Sequence, residues 1–523
     1  MRILHASAVI VGVLFLLALA RLARFDNGGP AHLFVALPGQ EPATMYLPGT
    51  GTPFFNVFPP PPAERPAAVV LIHGFMADRQ MMSVLARRIA QNGYAVLAID
   101  VQGHGENRNP LGIGPVTADA LDNDVKQAVD FLRAYPMVDG SRVVVMGHSM
   151  GAGAALDYAT HDPTLKGAVM ISGGFRLAGT ERPRNALFIF AERDPDQIQS
   201  ASVALATHLA GVPHIELAKP YGEFAQGSAL EIVRVPNVDH LQIIYSPEAA
   251  QTIVKWLDSA FGTIRSGSVE VVEPRLAASG VALVLFLILL VPLGRICGSM
   301  VQGWSERPAG LRGVMGLLVL GAALIAAMPL VAMIPPASFV PLVVGDVQIS
   351  WFAVAGLILI VGLILTKGLH WQEAHDRGGA TVCAAAIGFA VVYVCQVAMS
   401  VTFHRLSLTP ERSIVAILAA LLLFPFWMAF EVLIRRGGLV ISTVLAVIGR
   451  VLILVLMAMG VWLQVLPFVL MLILPSLALI FVMIEIFAAS AYSASRNLTL
   501  ITLVETAWFA WTIAATNPIT FMF

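Results

Sequence analysis

The sequence predicts an α/β domain, with a mostly parallel sheet and helices on both faces, followed by an all-α bundle of transmembrane helices. Between about residues 26 and 275, short apolar runs alternate with amphipathic segments. Strands that are almost wholly apolar are typical of a parallel sheet covered on both sides. From about residue 276 onward, long apolar runs are separated by short polar breaks, as in a chain that crosses a membrane several times.

The composition supports this division. The 523 residues are 57% hydrophobic and 12% charged, which is too apolar for a wholly soluble protein. The net charge is −1 and no basic stripe with interleaved aromatic residues occurs, so a nucleic-acid partner is not expected. We predict a membrane anchor or signal at 1–25, the α/β domain at 26–265, a linker at 266–275 and about eight transmembrane helices at 276–523.

Six strands and five helices are expected in the α/β domain. The strands are predicted at Ala67–Ile72, Tyr94–Ile99, Arg142–Met146, Gly167–Ile171, Ala186–Phe190 and Glu231–Val235. The helices are predicted at Arg79–Asn92, Ala118–Tyr135, Met150–Thr160, Gln197–Ala210 and Pro247–Phe261. In a parallel sheet the loops at the carboxyl ends of the strands form the functional edge, and the chemically active residues of this sequence follow those ends.

The segment Gly147-His148-Ser149-Met150-Gly151 stands between an apolar strand and a helix of small residues. Strand, Gly-x-Ser-x-Gly and helix in this order are typical of a nucleophile elbow. A serine nucleophile must stand on a very tight turn, and glycines let the strand and the helix approach closely enough. The flanking elements favour an elbow over a chance match of the short pattern.

With these features the sequence resembles the α/β-hydrolase family, in particular its small bacterial members of the dienelactone-hydrolase and serine-aminopeptidase-like kind, here fused to a polytopic membrane domain. The resemblance covers about residues 45 to 262. The motifs that carry it are His73-Gly74-Phe75, Asp100-Val101-Gln102-Gly103-His104-Gly105, the elbow, Ala191-Glu192-Arg193-Asp194 and Asp239-His240. The family orders its triad as serine, acid, histidine, and this chain offers that order.

The resemblance implies a role for each residue. Ser149 would attack a carbonyl carbon, His240 would act as general base, and Asp194 would hold the imidazole. Asp196 is an alternative acid two residues further on. The backbone N–H groups of Phe75 and Met150 would form the oxyanion hole.

The remaining histidines of these motifs are expected to be structural: His73 beside the oxyanion loop, His104 in a glycine turn and His148 in the elbow. Their spacing does not match a zinc site. We therefore expect neither a metal nor another cofactor.

The membrane segments allow a prediction of orientation. Ile3 to Ala20 is read as a retained anchor, with a cleaved signal as the alternative. Further spans are predicted near 276–294, 313–335, 348–366, 380–401, 414–434, 439–463, 468–490 and 498–516. Eight basic residues fall in the loops of one side and two, Arg405 and Arg412, in those of the other. The positive-inside rule then places the α/β domain outside the cytoplasm, although Arg21 and Arg24 point the other way.

Four charged residues fall in or near the predicted spans: Glu431, Arg450, Glu485 and Glu505. Ionisable residues in a membrane bundle usually face its interior. They could form a polar path for substrate, product or an ion, or internal ion pairs and groups that reach the membrane surface. The second interpretation suits Glu431, which stands near Arg435.

The function predicted from these features is a membrane-bound serine hydrolase of a bacterial cell membrane that cleaves a carboxylic ester or a related acyl bond through an acyl-enzyme. Only Ser172–Asn185 separate two of the strands where relatives often carry a lid, which favours an open pocket. A small or lipid-like acyl substrate at the bilayer is therefore expected. The alternative is a transporter or signalling protein with a regulatory hydrolase-like outer domain. The sequence leaves the bond type and the oligomeric state open.

Overall fold

The computed structural model describes residues 2–39, 41–50, 64–112, 115–174, 182–301, 310–366, 378–435 and 437–521. The chain forms two compact units. The first unit comprises Arg21–Ala278 and Ser400–Arg405, and the second comprises Met1–Ala20, Ser279–Met399 and Leu406–Phe523. The predicted domain boundaries stay a prediction. Part of the expected short lid segment, 175–181, and the basic residues Arg307, Lys367, Arg377 and Arg436 lie outside the described residues.

The first unit is built on an eight-stranded sheet with the order β1-β2-β4-β3-β5-β6-β7-β8. The strands are β1 (Pro30–Ala36), β2 (Pro42–Thr50), β3 (Ala68–Ile72), β4 (Ala95–Ile99), β5 (Val143–His148), β6 (Gly167–Ile171), β7 (Ala186–Ala191) and β8 (Leu230–Val235). β1 and β2 are antiparallel, and β2 is antiparallel to β4. All other pairs are parallel, which confirms the predicted mostly parallel α/β sheet.

Five helices accompany this sheet. They are α2 (Ser83–Gln91), α3 (Pro115–Ala134), α4 (Met150–His161), α5 (Asp196–Ala210) and α6 (Pro247–Phe261). Every residue of β3, β4, β5, β6 and β7 is buried. Burial on both faces explains why these strands are apolar without alternation. The core therefore fixes the position of the loops that follow each strand.

The second unit is helical. Its helices are α1 (Arg2–Asn27, of which residues up to Ala20 belong here), α7 (Pro274–Ser299), α8 (Gly310–Val331), α9 (Gly345–Leu365), α10 (Gly378–Met399), α11 (Pro410–Ile434), α12 (Leu439–Trp462), α13 (Val469–Ser495) and α14 (Leu498–Thr516). Among the described residues, nine helices are long and apolar enough to cross a membrane. This confirms the all-α membrane part and supports an integral membrane protein.

Candidate active site

Ser149 occupies the sharp turn between β5 and α4. Its φ of 55° and ψ of −114° form a conformation that residues with a side chain rarely adopt. Glycines make the turn possible, because a Cβ at Gly147 would lie 1.9 Å from the carbonyl oxygen of Gly151. A Cβ at Gly151 would itself lie 2.5 Å from the carbonyl oxygen of His73. The structure therefore has a strained elbow at the expected serine.

Three side chains that are far apart in the sequence meet at this turn. The Ser149 hydroxyl lies 3.1 Å from Nε2 of His240, and Nδ1 of His240 lies 2.7 Å from Oδ1 of Asp194. An ionised carboxylate can only accept, so Nδ1 carries the donated proton and Nε2 is left to accept from the hydroxyl. The arrangement can move a proton from the serine to the imidazole.

Two groups besides His240 donate hydrogen bonds to the Asp194 carboxylate. Its Oδ2 accepts from the hydroxyl of Ser172 at 2.6 Å and from the N–H of Ala191 at 2.7 Å. Asp196, the alternative acid, is exposed at the start of α5. Of the two carboxylates, the one in contact with His240 is thus Asp194. Ser172 was not predicted, because a lone serine after a strand has no distinctive pattern.

The candidate oxyanion donors lie beside the nucleophile. Met150 begins α4 directly after Ser149, and Phe75 lies in a turn closed by a 3.1 Å hydrogen bond from the N–H of Ala77 to the carbonyl of Gly74. A Cβ at Gly74 would lie 3.1 Å from the Cβ of Ser149, so the absence of a side chain lets this turn approach the elbow. In the loops and turns of the described residues, no backbone hydrogen bond has the N–H of Phe75 or of Met150 as its donor.

Three further histidines surround the site without joining the proton path. Nε2 of His148 donates to the carbonyl of His240 at 2.9 Å, and the two rings lie 4.8 Å apart. Burial, followed by the nearby His240, lowers the pKa of His148 to about 3, so this ring is neutral. His73 accepts from the N–H of Val101 at 3.2 Å, and burial lowers its pKa as well. His104 packs against the ring of Phe75 at 5.7 Å.

The turn that carries Phe75 continues into residues held by a buried ion cluster. Arg79 forms close ion pairs with Asp100 and Glu106, and its N–H donates to Asp100 Oδ1 at 2.7 Å. Burial alone would raise the pKa of Asp100, but the Arg79 guanidinium lowers it below its usual value. Asp100 therefore anchors this turn and takes no part in the proton path.

A second anchor comes from Ser400–Arg405, which belongs to the first unit although it stands between α10 and α11 in the chain. Oδ2 of Asp78 accepts from the N–H of Arg405 at 2.6 Å and lies 3.0 Å from Nδ1 of His404. The amide of Gln80 donates to the carbonyl of Ser400 at 2.7 Å. The segment thus stabilises the residues just after the oxyanion turn. The contacting residues are about 320 positions apart in the chain, so the sequence alone could not predict that they meet.

The described residues contain no group of three or more His, Cys, Asp or Glu arranged to hold a metal ion. An activated hydroxyl facing backbone N–H donors is suited to acyl transfer.

Comparisons with known proteins agree with this interpretation. Residues 63–204 match the family described as serine aminopeptidase, S33. Cutinase 2 of Thermobifida cellulosilytica is 32% identical over 105 residues, which cover 20% of this chain and 38% of that protein. Cutinase est1 of Thermobifida alba is 30% identical over 114 residues, 20% of this chain and 34% of that protein. Bis(hydroxyethyl) terephthalate hydrolase of Streptomyces coelicolor is 32% identical over 112 residues, 20% of this chain and 32% of that protein.

The chain therefore spans about a third of the length of these relatives. A solved structure of a hypothetical protein from Pseudomonas aeruginosa shares 18% identity, with a TM-score of 0.32, over 44% of this chain and 92% of that one. The family match and the relatives confirm that the chain carries an α/β-hydrolase domain of the serine-hydrolase kind.

Proposed function

We propose that this protein is a membrane-integrated serine hydrolase that cleaves a carboxylic ester or a related acyl bond. The observation that carries the proposal is the continuous chain of hydrogen bonds from the Ser149 hydroxyl through His240 to Asp194. A serine hydroxyl is a weak nucleophile until a base takes its proton. The strained elbow and the two N–H groups beside it support the same chemistry.

In the acylation step, Nε2 of His240 takes the Ser149 proton as Oγ attacks the carbonyl carbon. The imidazolium that forms is stabilised by Asp194, which also fixes the ring in the productive tautomer. The N–H groups of Phe75 and Met150 would bind the developing oxyanion. Loss of one such donor typically costs about 3–4 kcal/mol of transition-state stabilisation.

In the next step His240 gives its proton to the leaving alcohol, which departs and leaves an acyl-enzyme on Ser149. A water molecule then enters, loses a proton to His240 and attacks the acyl carbon through the same oxyanion site. The collapse of this intermediate returns the proton to Ser149 and releases the acid. His148, which donates to the His240 carbonyl, would keep the base in place through both steps.

An ester is the favoured bond because the relatives are described as cutinases and a terephthalate hydrolase. The short segment Ser172–Asn185 leaves little room for a helical lid, which favours an open pocket. Together with the apolar helices, this points to an acyl or lipid-like substrate that reaches the site at a bilayer. The resemblance to small bacterial hydrolases favours a bacterial cell membrane, and the charge pattern of the loops favours the extracytoplasmic side for the hydrolase domain.

The test uses the full chain in intact membranes. A fluorophosphonate probe should label the wild type, and the label should vanish in Ser149→Ala. Ser200→Ala is the matched control, because its hydroxyl contacts only carbonyls of its own helix. Folded wild type that takes no label, or labelling that survives Ser149→Ala, would contradict the proposal and favour the regulatory alternative. Ester, thioester and peptide substrates of matched acyl length then identify the bond.

A further inference from the structure

The helical unit encloses a cluster of five charged side chains contributed by four helices. Glu431 lies on α11 and Arg435 directly follows that helix, while Arg450, Glu485 and Glu505 come from α12, α13 and α14. Their side chains are at most 8% exposed. Internal ion pairing was one of the two expectations for these residues, and the contacts show it.

The guanidinium of Arg435 donates hydrogen bonds to two of the three carboxylates. Its Nε and Nη2 lie 2.5 and 3.1 Å from the two oxygens of Glu431. Its Nη1 and Nη2 lie 3.1 and 2.9 Å from the two oxygens of Glu485. Both carboxylates thus accept at both oxygens from a guanidinium, and such paired contacts offset the cost of burying two charges.

Arg450 is the second cation of the cluster. Its Nη1 lies 2.6 Å from Glu485 Oε2, its Nη2 is in close contact with Glu505 Oε1, and its guanidinium lies 4.9 Å from the centre of the Phe430 ring. Arg450 therefore contacts all three carboxylates, with Glu431 Oε1 the most distant at 4.0 Å. Of the two oxygens of Glu505, only Oε1 contacts a guanidinium among the described residues.

The charges do not balance. Three carboxylates face two guanidiniums, and within the part of the chain that the structure describes no third cation pairs with them. Oε2 of Glu505 is buried and has no hydrogen-bond partner among the described residues. A buried ionised carboxylate without compensation is strongly unfavourable, and such a group becomes neutral instead.

We propose that Glu505 is a proton-binding site in the interior of the helical unit. A proton on Oε2 removes the excess negative charge, and Oε1 continues to accept from Arg450 as a carbonyl oxygen. A metal cation fits less well, because it needs several oxygen ligands and no suitable group of three exists among the described residues. The charged groups that act on Glu505 are the other four members of the cluster.

The test measures the proton directly in the full-length protein. Infrared difference spectra of wild type minus Glu505→Gln should show the carbonyl stretch of a protonated carboxyl, present only in the wild type. Dicyclohexylcarbodiimide, which reacts with protonated carboxyls in apolar surroundings, should modify Glu505 and neither Glu431 nor Glu485, as located by mass spectrometry. This labelling needs no variant, so it stands even where Glu505→Gln does not fold.

A second variant tests the charge argument itself. In Glu431→Gln the cluster holds two carboxylates and two guanidiniums, so Glu505 should release its proton, and both the infrared band and the carbodiimide adduct should be lost. Glu216→Gln, which removes an exposed carboxylate of the first unit, should keep both signals. No band difference between wild type and Glu505→Gln, or an adduct on Glu485 in place of Glu505, would overturn the proposal. So would a band that persists in Glu431→Gln.

Discussion

Glu41 offers a quantitative test of how burial controls protonation in the first unit. The residue directly precedes β2 and is 1% exposed. Its Oε1 accepts from the amide of Gln127 at 2.9 Å, and no N–H or hydroxyl group among the described residues donates to its Oε2. Burial and, second, the nearby carboxyl of Asp124 raise the pKa of Glu41 to about 9. The substitution Glu41→Gln keeps the shape and the contact with Gln127 but removes the titration.

The sign follows from the two states. A glutamate in the unfolded chain titrates near pH ~4.3. Between that pH and about 9, the folded protein holds a proton at Glu41 that the unfolded chain has lost. The contribution of this carboxyl to stability is therefore fully present below its unfolded pKa and is lost as the pH rises, by about 1.4 kcal/mol per pH unit. From pH 6 to pH 8 the wild type loses roughly 3 kcal/mol that Glu41→Gln does not lose.

For a unit of this size, a change of roughly 3 kcal/mol corresponds to about 5–10 °C in Tm. The measurement is the temperature at which the first unit of the full-length protein loses protease resistance, at pH 6 and at pH 8. The difference in Tm between Glu41→Gln and wild type should grow by that amount. Glu216→Gln, which removes an exposed carboxylate paired with Lys219, should follow the wild type. Parallel shifts of wild type and Glu41→Gln would refute the reasoning.

Two further predictions concern the candidate site. Asp194→Asn should lower kcat by about 10⁴-fold, because the imidazole then adopts the wrong tautomer. Asp196→Asn should leave ester hydrolysis unchanged. An equal loss of kcat in both variants would contradict the choice of Asp194 as the acid of the triad. Gln80→Ala in the full chain removes a hydrogen bond to the carbonyl of Ser400, and it should lower kcat several-fold at constant KM because the oxyanion turn is held less firmly. Gln91→Ala, at the half-buried last residue of α2, is its control, and an equal effect there would contradict the role of Gln80.

The parallel part of the sheet could be predicted because its strands carry their own signal. β6 has the predicted bounds, and β3 and β4 differ from them by one residue, since each is an apolar run between turn-forming residues. The antiparallel strands β1 and β2 were not predicted. β1 begins with a proline and β2 contains Pro48 and Gly49, and β2 is stabilised by pairing with β4 far along the chain, so their local pattern is weak.

The candidate site likewise contains residues that could be predicted from the sequence and residues that could not. The elbow was predictable because its glycines and flanking elements are contiguous in sequence, and the order of serine, acid and histidine came with the family resemblance. Ser172 and the segment Ser400–Arg405 act through contacts that no local pattern reveals. In the helical unit, Glu431 and Arg435 could be paired by their spacing of four, whereas the contacts of Arg450 across helices required the structure.

One physical rule connects the buried carboxylates of both units: the number and charge of the donors around each one decide what it can do. Asp194 receives hydrogen bonds from His240, Ser172 and the Ala191 N–H, and this set of donors suits a group that must stabilise an imidazolium without taking its proton. Glu41 and Glu505 each have one buried oxygen that receives no N–H or hydroxyl donor among the described residues. Carboxyls of that kind are stable when they hold a proton themselves. The same argument therefore supports the proposed role of Asp194 in orienting the base and the proposed binding of protons by Glu41 and Glu505.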